Sequence, residues 1–223
     1  MVQQKTLRVK FEKAGKLQYI SHLDLLRTMQ SALRRAKVKM AYSEGFNPHM
    51  KITFALPLSI GIESLTEYMD IKTDVSMRAQ EVKENLAKNL PSDMKVLDVY
   101  DVEEGVCKLT DVKYAEYKIY IDYGDRTEEA YNIAKGLYNS ELVVTKKTKK
   151  GEKEIDISSL IDKIDVSYEF SCVIIRARLS ADSENYLNPF YLTGALDKKM
   201  EMESIRRRVV RLAIYKADKT EFK

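Results

Sequence analysis

Near the start of the chain Leu7, Val9 and Phe11 alternate with Arg8, Lys10 and Glu12, the period of two that marks a half-buried strand. "AGK" follows as a turn, and "LQYI" reads as a short returning strand. From Ser21 the period lengthens. Leu25, Leu26, Met29, Ala32, Leu33 and Ala36 form the apolar stripe of a helix that should end near Lys37. Ser21 with Asp24 three residues later is the Ser-x-x-acid start of such a helix. Gly45 and Asn47-Pro48 then mark a loop, because proline keeps Asn47 out of the helical region. "KITFALPL" and "EYMDIKTD" predict two strands, "SMRAQEVKENLAKNL" a helix closed by Pro91, and "MKVLDVYDV" another strand.

Around Glu103-Glu104-Gly105 the pattern lapses, and a boundary is placed there. A second series follows. Ala115, Tyr117, Ile119, Ile121 and Tyr123 share one face of a strand. Asp125 and Glu128 can box the start of a helix carrying Ala130, Ile133, Ala134 and Leu137. "ELVVTKKTKKGEKEIDI" predicts a hairpin, "SSLIDKI" a short helix at most, and "SYEFSCVIIRARL" one long strand. Asn188-Pro189 opens a helix to about Lys199, and "SIRRRVVRLAIY" is a last strand. The order predicts an α+β protein of two ferredoxin-like β-α-β-β-α-β layers in tandem, residues 1–104 and 105–223, with no residue-level repeat between them.

A hydrophobic share of 44% supports a real core, and 32% charged residues of both signs leave a net charge of only +4. That balance permits an acidic partner such as RNA without demanding one. No apolar run is long enough for a membrane span, and "MVQQKTLRVKFEK" lacks the apolar segment of a signal peptide, so no membrane partner and a cytoplasmic location are expected. Cys107 and Cys172 are the only cysteines and stand far apart, which argues against a zinc or iron–sulfur site held by this chain. The glycine-rich nucleotide loops and the hydrolase elbow are absent.

The candidate chemistry gathers around "AYSEGFNPHMK". The chain has two histidines, His22 at the first turn of the first helix and His49 in this loop. A strand that returns along the helix brings its far end, not His49, toward His22. The two rings are therefore expected at opposite ends of one layer, roughly 20 Å apart by helix rise, and not as a catalytic pair. Tyr42, Ser43, Glu44, Phe46, Asn47, His49 and Lys51, with Arg34 and Arg35 from the helix end and His22 and Asp24 at its start, form the candidate substrate-binding set. Arginines offer phosphate-matching forks and loop aromatics offer faces on which a base can stack. A packed loop with Phe46 in the core is the plainer alternative.

Lys146, Lys147, Lys149, Lys150 and Lys153 crowd a hairpin tip and read as a solvated edge. Arg206 and Arg208 fall on one face of the last strand, Arg207 and Arg211 on the other. With Arg176 and Arg178 on the preceding long strand, Arg206 and Arg208 are candidates for tracking an RNA backbone.

The segments "LRVKFEKAGKLQYISHLDLLRTMQSALRRA", "MAYSEGFNPHMKITFALPLSIGIES" and "EYMDI" resemble, in this order, the radical-SAM-linked domain of unknown function found in bacteria. The resemblance implies a stand-alone accessory chain that binds no cofactor itself. Its radical SAM partner would carry the iron–sulfur cluster and S-adenosylmethionine. Two functions follow as expectations: a binding protein that presents RNA or a ribosome-related substrate to a radical SAM enzyme, or a metal-free RNA-processing enzyme with a histidine as acid–base.

Overall fold

The computed structural model describes residues 3–103, 105–148, 151–182 and 184–223. The chain forms two compact units, one of Met1–Val112 with Phe222–Lys223, the other of Lys113–Glu221. The division at Val112/Lys113 lies a little beyond the expected 104/105. Both units are α+β.

The first unit contains β1 (Gln4–Lys13), α1 (His22–Arg35), β2 (Ile52–Phe54), β3 (Ile62–Asp74), α2 (Ala79–Ala87) and β4 (Met94–Asp101). Its strands lie in the order β4-β1-β3-β2, each antiparallel to its neighbour. Leu7, Val9 and Phe11 of β1 are fully buried and meet Leu25, Met29, Ala32 and Leu33 of α1 and Val82 and Leu86 of α2 in one core. Both helices thus cover one sheet face, and Arg8 and Lys10 point to the other. Ser21 caps α1, its Oγ accepting from the Asp24 amide at 3.2 Å and donating to the Asp24 carboxylate at 2.7 Å.

Three sequence expectations change here. "LQYI" is not a strand; Gly15–Tyr19 make a 3-10 turn. "KITFALPL" keeps only Ile52–Phe54 as strand, since Pro57 brings no N–H to continue the ladder. β3 begins at Ile62 rather than Glu67, because Glu63, Ser64, Thr66 and Glu67 read as polar yet are buried.

The second unit contains β5 (Tyr114–Asp122), α3 (Thr127–Leu137), β6 (Val143–Thr148), β7 (Gly151–Asp156), β8 (Ile161–Glu169), β9 (Cys172–Ser180), α4 (Phe190–Met200) and β10 (Arg206–Tyr215). Its main sheet runs β10-β5-β9-β8, again antiparallel throughout, and β6-β7 is a separate hairpin. Lys146 and Lys153 of that hairpin are exposed, and Lys149 and Lys150 lie outside the described residues.

The expected long strand at 167–179 is two strands that reverse at Phe170–Ser171, and "SSLIDKI" gives a short 3-10 helix at Ser158–Leu160 and then the start of β8. The acidic box at Asp125 and Glu128 does not form. Thr127 instead donates to the Gly124 carbonyl at 2.7 Å and accepts from the Tyr123 amide at 2.9 Å. At Asn188 the side chain accepts from the Phe190 amide at 3.0 Å, the capping bond expected of it.

Phe222 was not expected in the first unit. It is fully buried there, its ring 5.0 Å from that of Tyr68 and its carbonyl accepting from the Tyr68 hydroxyl at 2.7 Å.

Candidate nucleic-acid interface

The loop that joins α1 to β2 is a small hairpin. Its base is tied by the Ala41 amide to the Lys72 carbonyl at 2.8 Å and the Lys51 amide to the Ala41 carbonyl at 3.0 Å. Higher up, Ser43 Oγ accepts from the His49 amide at 3.1 Å and lies 2.9 Å from His49 Nδ1. A serine beside an imidazole suggests a nucleophile and its base. Here the hydroxyl also holds the histidine's own backbone, so the pair closes the turn. Glu44, Asn47 and His49 are exposed, and Phe46 is fully so, which excludes the packed-loop alternative in which Phe46 enters the core. Gly45, with φ 111°, takes a conformation at this tip that other residues rarely adopt.

His49 and Lys51 line a cavity of about 580 Å³ together with Arg8, Asp70 and Lys72. Tyr42 and Phe46 are not among its lining residues, nor are Arg34 and Arg35. Arg35 donates to the Asn89 carbonyl at 2.6 Å. Asp24 is held by Ser21 and Arg27 as part of the helix start, and these contacts lower its pKa, the Ser21 hydroxyl contributing most. His22 sets its ring edge-on to Phe54 at 5.1 Å, so the far end of β2 is what reaches it.

The second unit gathers more of the chemistry that nucleic acids need. In its sheet the cross-strand pairs alternate cleanly. Ile119 and Ile121 of β5 align with Ile175 and Val173 of β9 and with Val209 and Arg207 of β10, and form the face toward the helices. Lys118 and Tyr120 align with Arg176 and Ile174 and with Val210 and Arg208, and form the opposite face, on which Arg176 and Arg208 are exposed, Lys118 and Tyr120 half-buried, and Ile174 and Val210 buried. Arg207 is tied to α4 through Thr193 at 3.0 Å and Asp197 at 3.6 Å, and Arg211 is buried against Tyr117. Arg206 and Arg208 are exposed.

Arg176 and Arg178 are already engaged. Arg176 donates to Glu116 at 2.5 Å and Arg178 to Asp162 at 2.5 Å. Burial opposes ionisation of Glu116, but hydrogen bonds from Tyr215 and Arg176 outweigh it and lower its pKa. Asp162 is lowered in the same way against its burial, by Lys219 and Arg178. These carboxylates stay charged at neutral pH and compete with any phosphate for the two arginines.

A cleft of about 750 Å³ opens beside them, lined by Tyr120, Phe170, Ile205, Arg206 and Arg208 among others. The Lys118 ammonium lies 5.1 Å and the Arg208 guanidinium 5.8 Å from the Tyr120 ring centre. Phe170 is 91% exposed. It and Ser171 have φ of 52° and 55°, which makes the two-residue link between β8 and β9 a turn that ordinarily carries Asn-Gly. An exposed phenylalanine in this backbone conformation costs about 1–3 kcal/mol. Cys172 lines the same cleft, and burial together with the Asp122 charge pushes its thiol up, away from the reactive thiolate.

Tyr120, Phe170 and Lys118 were not singled out from the sequence. The available signal was Tyr120 in the polar register of β5, between Lys118 and Asp122, where an aromatic side chain gains little from packing. Among the described residues no cluster of histidine, cysteine, aspartate and glutamate could hold a metal ion, and no helix is long and apolar enough to cross a membrane.

Fold and site define a two-unit α+β protein with open sheet faces. Residues 6–189 match the family described as "Uncharacterized protein conserved in bacteria (DUF2344)", and the chain belongs to it. No curated protein matches the chain. Among solved structures, a Cbf5-Nop10-Gar1 complex is similar over 93% of this chain and 48% of that one, at 8% identity and a TM-score of 0.49. This chain thus spans about half the length of that relative. An unknown protein from Galdieria sulphuraria is similar over 93% and 96% at 8% identity, with a TM-score of 0.29. Likenesses of this size assign no function.

Proposed function

We propose that this protein binds single-stranded RNA on the open sheet face of its second unit and presents it to a radical SAM enzyme. The observation that carries the RNA reading is the cleft in which Tyr120 and the exposed Phe170 stand with Arg206 and Arg208. Cations over a half-buried ring such as that of Tyr120 contribute about 0.5–2 kcal/mol. A stacked base contributes about 1–3 kcal/mol. A base can therefore displace Lys118 and Arg208 from Tyr120, and both cations remain close enough to meet the adjoining phosphates. The geometry suits unpaired bases, because a paired base cannot offer its face to a ring lying in a sheet.

The radical SAM partner rests on the resemblance of the SHLD and YSEGFNPH segments. The ferredoxin-like description of the two layers is supported by the strand orders β4-β1-β3-β2 and β10-β5-β9-β8. In each, the first and third strands of a β-α-β-β-α-β series lie side by side in the middle. Two measurements test the proposal separately. Fluorescence anisotropy with a labelled single-stranded oligoribonucleotide should show saturable binding that Tyr120→Ala weakens, and no binding at low salt would refute the RNA reading. Co-expression with a radical SAM protein of the same organism should give a complex that survives gel filtration, and separate elution would refute the partnership.

A further inference from the structure

The cavity in the first unit is built differently from the cleft in the second. Its floor is the open face of the sheet, where Thr53, Asp70, Arg8 and Tyr100 line up across four strands. Arg8 is fully buried, and donates from Nε and one terminal nitrogen to the two oxygens of Asp70 at 2.8 and 3.0 Å. Asp70 is the sole carboxylate among the lining residues, and this pairing takes both of its oxygens. Lys51, Lys72 and Lys108 are lining residues too, and none of the three has an ion-pair partner among the described residues. Three lysines thus line a concave space whose one lining carboxylate is already paired with Arg8.

We propose that this cavity binds a phosphate monoester carried on a ring-sized body, the chemistry of a mononucleotide. Lysines hold phosphate as point charges, and three of them match a dianion. Thr6 and Thr53 add hydroxyls on the floor, and Val106 and Leu109 add apolar wall beside them. The volume of about 580 Å³ lies within the range of about 300–1,000 Å³ usual for small-ligand sites. The site shares no residue with the RNA cleft, so it stands or falls independently of it.

Calorimetry of the whole chain with adenosine monophosphate as probe tests this, with adenosine and inorganic phosphate alongside. We expect saturable binding at one site per chain, at least about tenfold weaker for adenosine. Lys51→Ala/Lys72→Ala should weaken the nucleotide by about tenfold or more, and Arg206→Ala/Arg208→Ala should leave it unchanged. His49 is one of two histidines, so its ring signals can be followed by NMR in the unaltered protein. They should shift with the nucleotide and with phosphate but not with adenosine. Absence of binding, equal affinity for adenosine, or loss through Arg206 and Arg208 instead of the lysines would each overturn the proposal.

Discussion

Arg8 is a charged side chain with no exposure, held by Asp70 on one side and by the Cys107 carbonyl at 2.7 Å on the other, with the Phe222 ring 4.9 Å away. Burial works against its charge, but the hydrogen bond and charge of Asp70 overcome this and raise its pKa. Arg8→Leu strands Asp70 without its partner and should lower stability by about 3–5 kcal/mol in urea denaturation, and Arg8→Leu/Asp70→Leu should recover much of it. A single-variant loss under about 1 kcal/mol would show that the pair contributes little. The tyrosines give a pH signature. Burial pushes Tyr100 and Tyr215 up to about 12, although the Arg8 charge pulls Tyr100 the other way. An unfolded tyrosine ionises near pH 10, so the folded state keeps these protons longer. Their contribution to stability is complete below pH 10 and is lost as pH rises toward 12. The urea midpoint should fall across that window, less steeply in Tyr100→Phe; an unchanged slope in that variant would remove Tyr100 from the explanation. Period two placed Arg8 on the polar side of β1, and so it is. Its burial was not legible, because the residues that cover it come from Cys107 and the far end of the chain.

Among the elements, the β8–β9 turn joins stability to function. Phe170 and Ser171 occupy positive φ where Asn-Gly fits without strain. Phe170→Asn/Ser171→Gly should therefore raise stability by about 1 kcal/mol or more while weakening RNA binding by about 1–3 kcal/mol. Thermal unfolding and anisotropy on the same preparation check both. A less stable variant would mean that Phe170 is held by packing, and unchanged binding would remove it from the interface. At the start of α1, Ser21→Ala should cost about 0.5–2 kcal/mol, the usual effect of losing a cap, read as a lower urea midpoint. This cap and the alternation of β1 could be read directly from residues, since each depends on neighbours within a few positions. The turn at Phe170–Ser171 could not. "EFSC" holds no glycine, asparagine or proline, and the apolar alternation runs through it, so two strands read as one. The short β2 was overextended for the converse reason, since Leu56 and Leu58 are buried without being strand.

On the scale of the whole molecule, two α+β series were visible because each element carries its own period. The return of Phe222 to the first unit was hidden, a lone apolar residue among "DKTEFK". The arginines were visible as a group, but which of them are held by carboxylates was not. That depends on which carboxylate lies across the strand: Glu116 for Arg176, Asp162 for Arg178, and no ion-pair partner for Arg206 among the described residues. The net charge of +4 gives little bulk attraction for RNA, so the proposed binding rests on the local cations and rings of the cleft. The most direct test is anisotropy with a single-stranded oligoribonucleotide across a salt series, comparing the natural chain, Tyr120→Ala and Arg206→Ala/Arg208→Ala. We expect affinity to fall steeply with salt in the natural chain. The arginine variant should flatten that slope by roughly one to two, because fewer counterions are released. Tyr120→Ala should lower affinity by about 1–3 kcal/mol with the slope unchanged, because stacking releases none. Binding that is absent at low salt, or that both variants leave untouched, would contradict an RNA interface on this face.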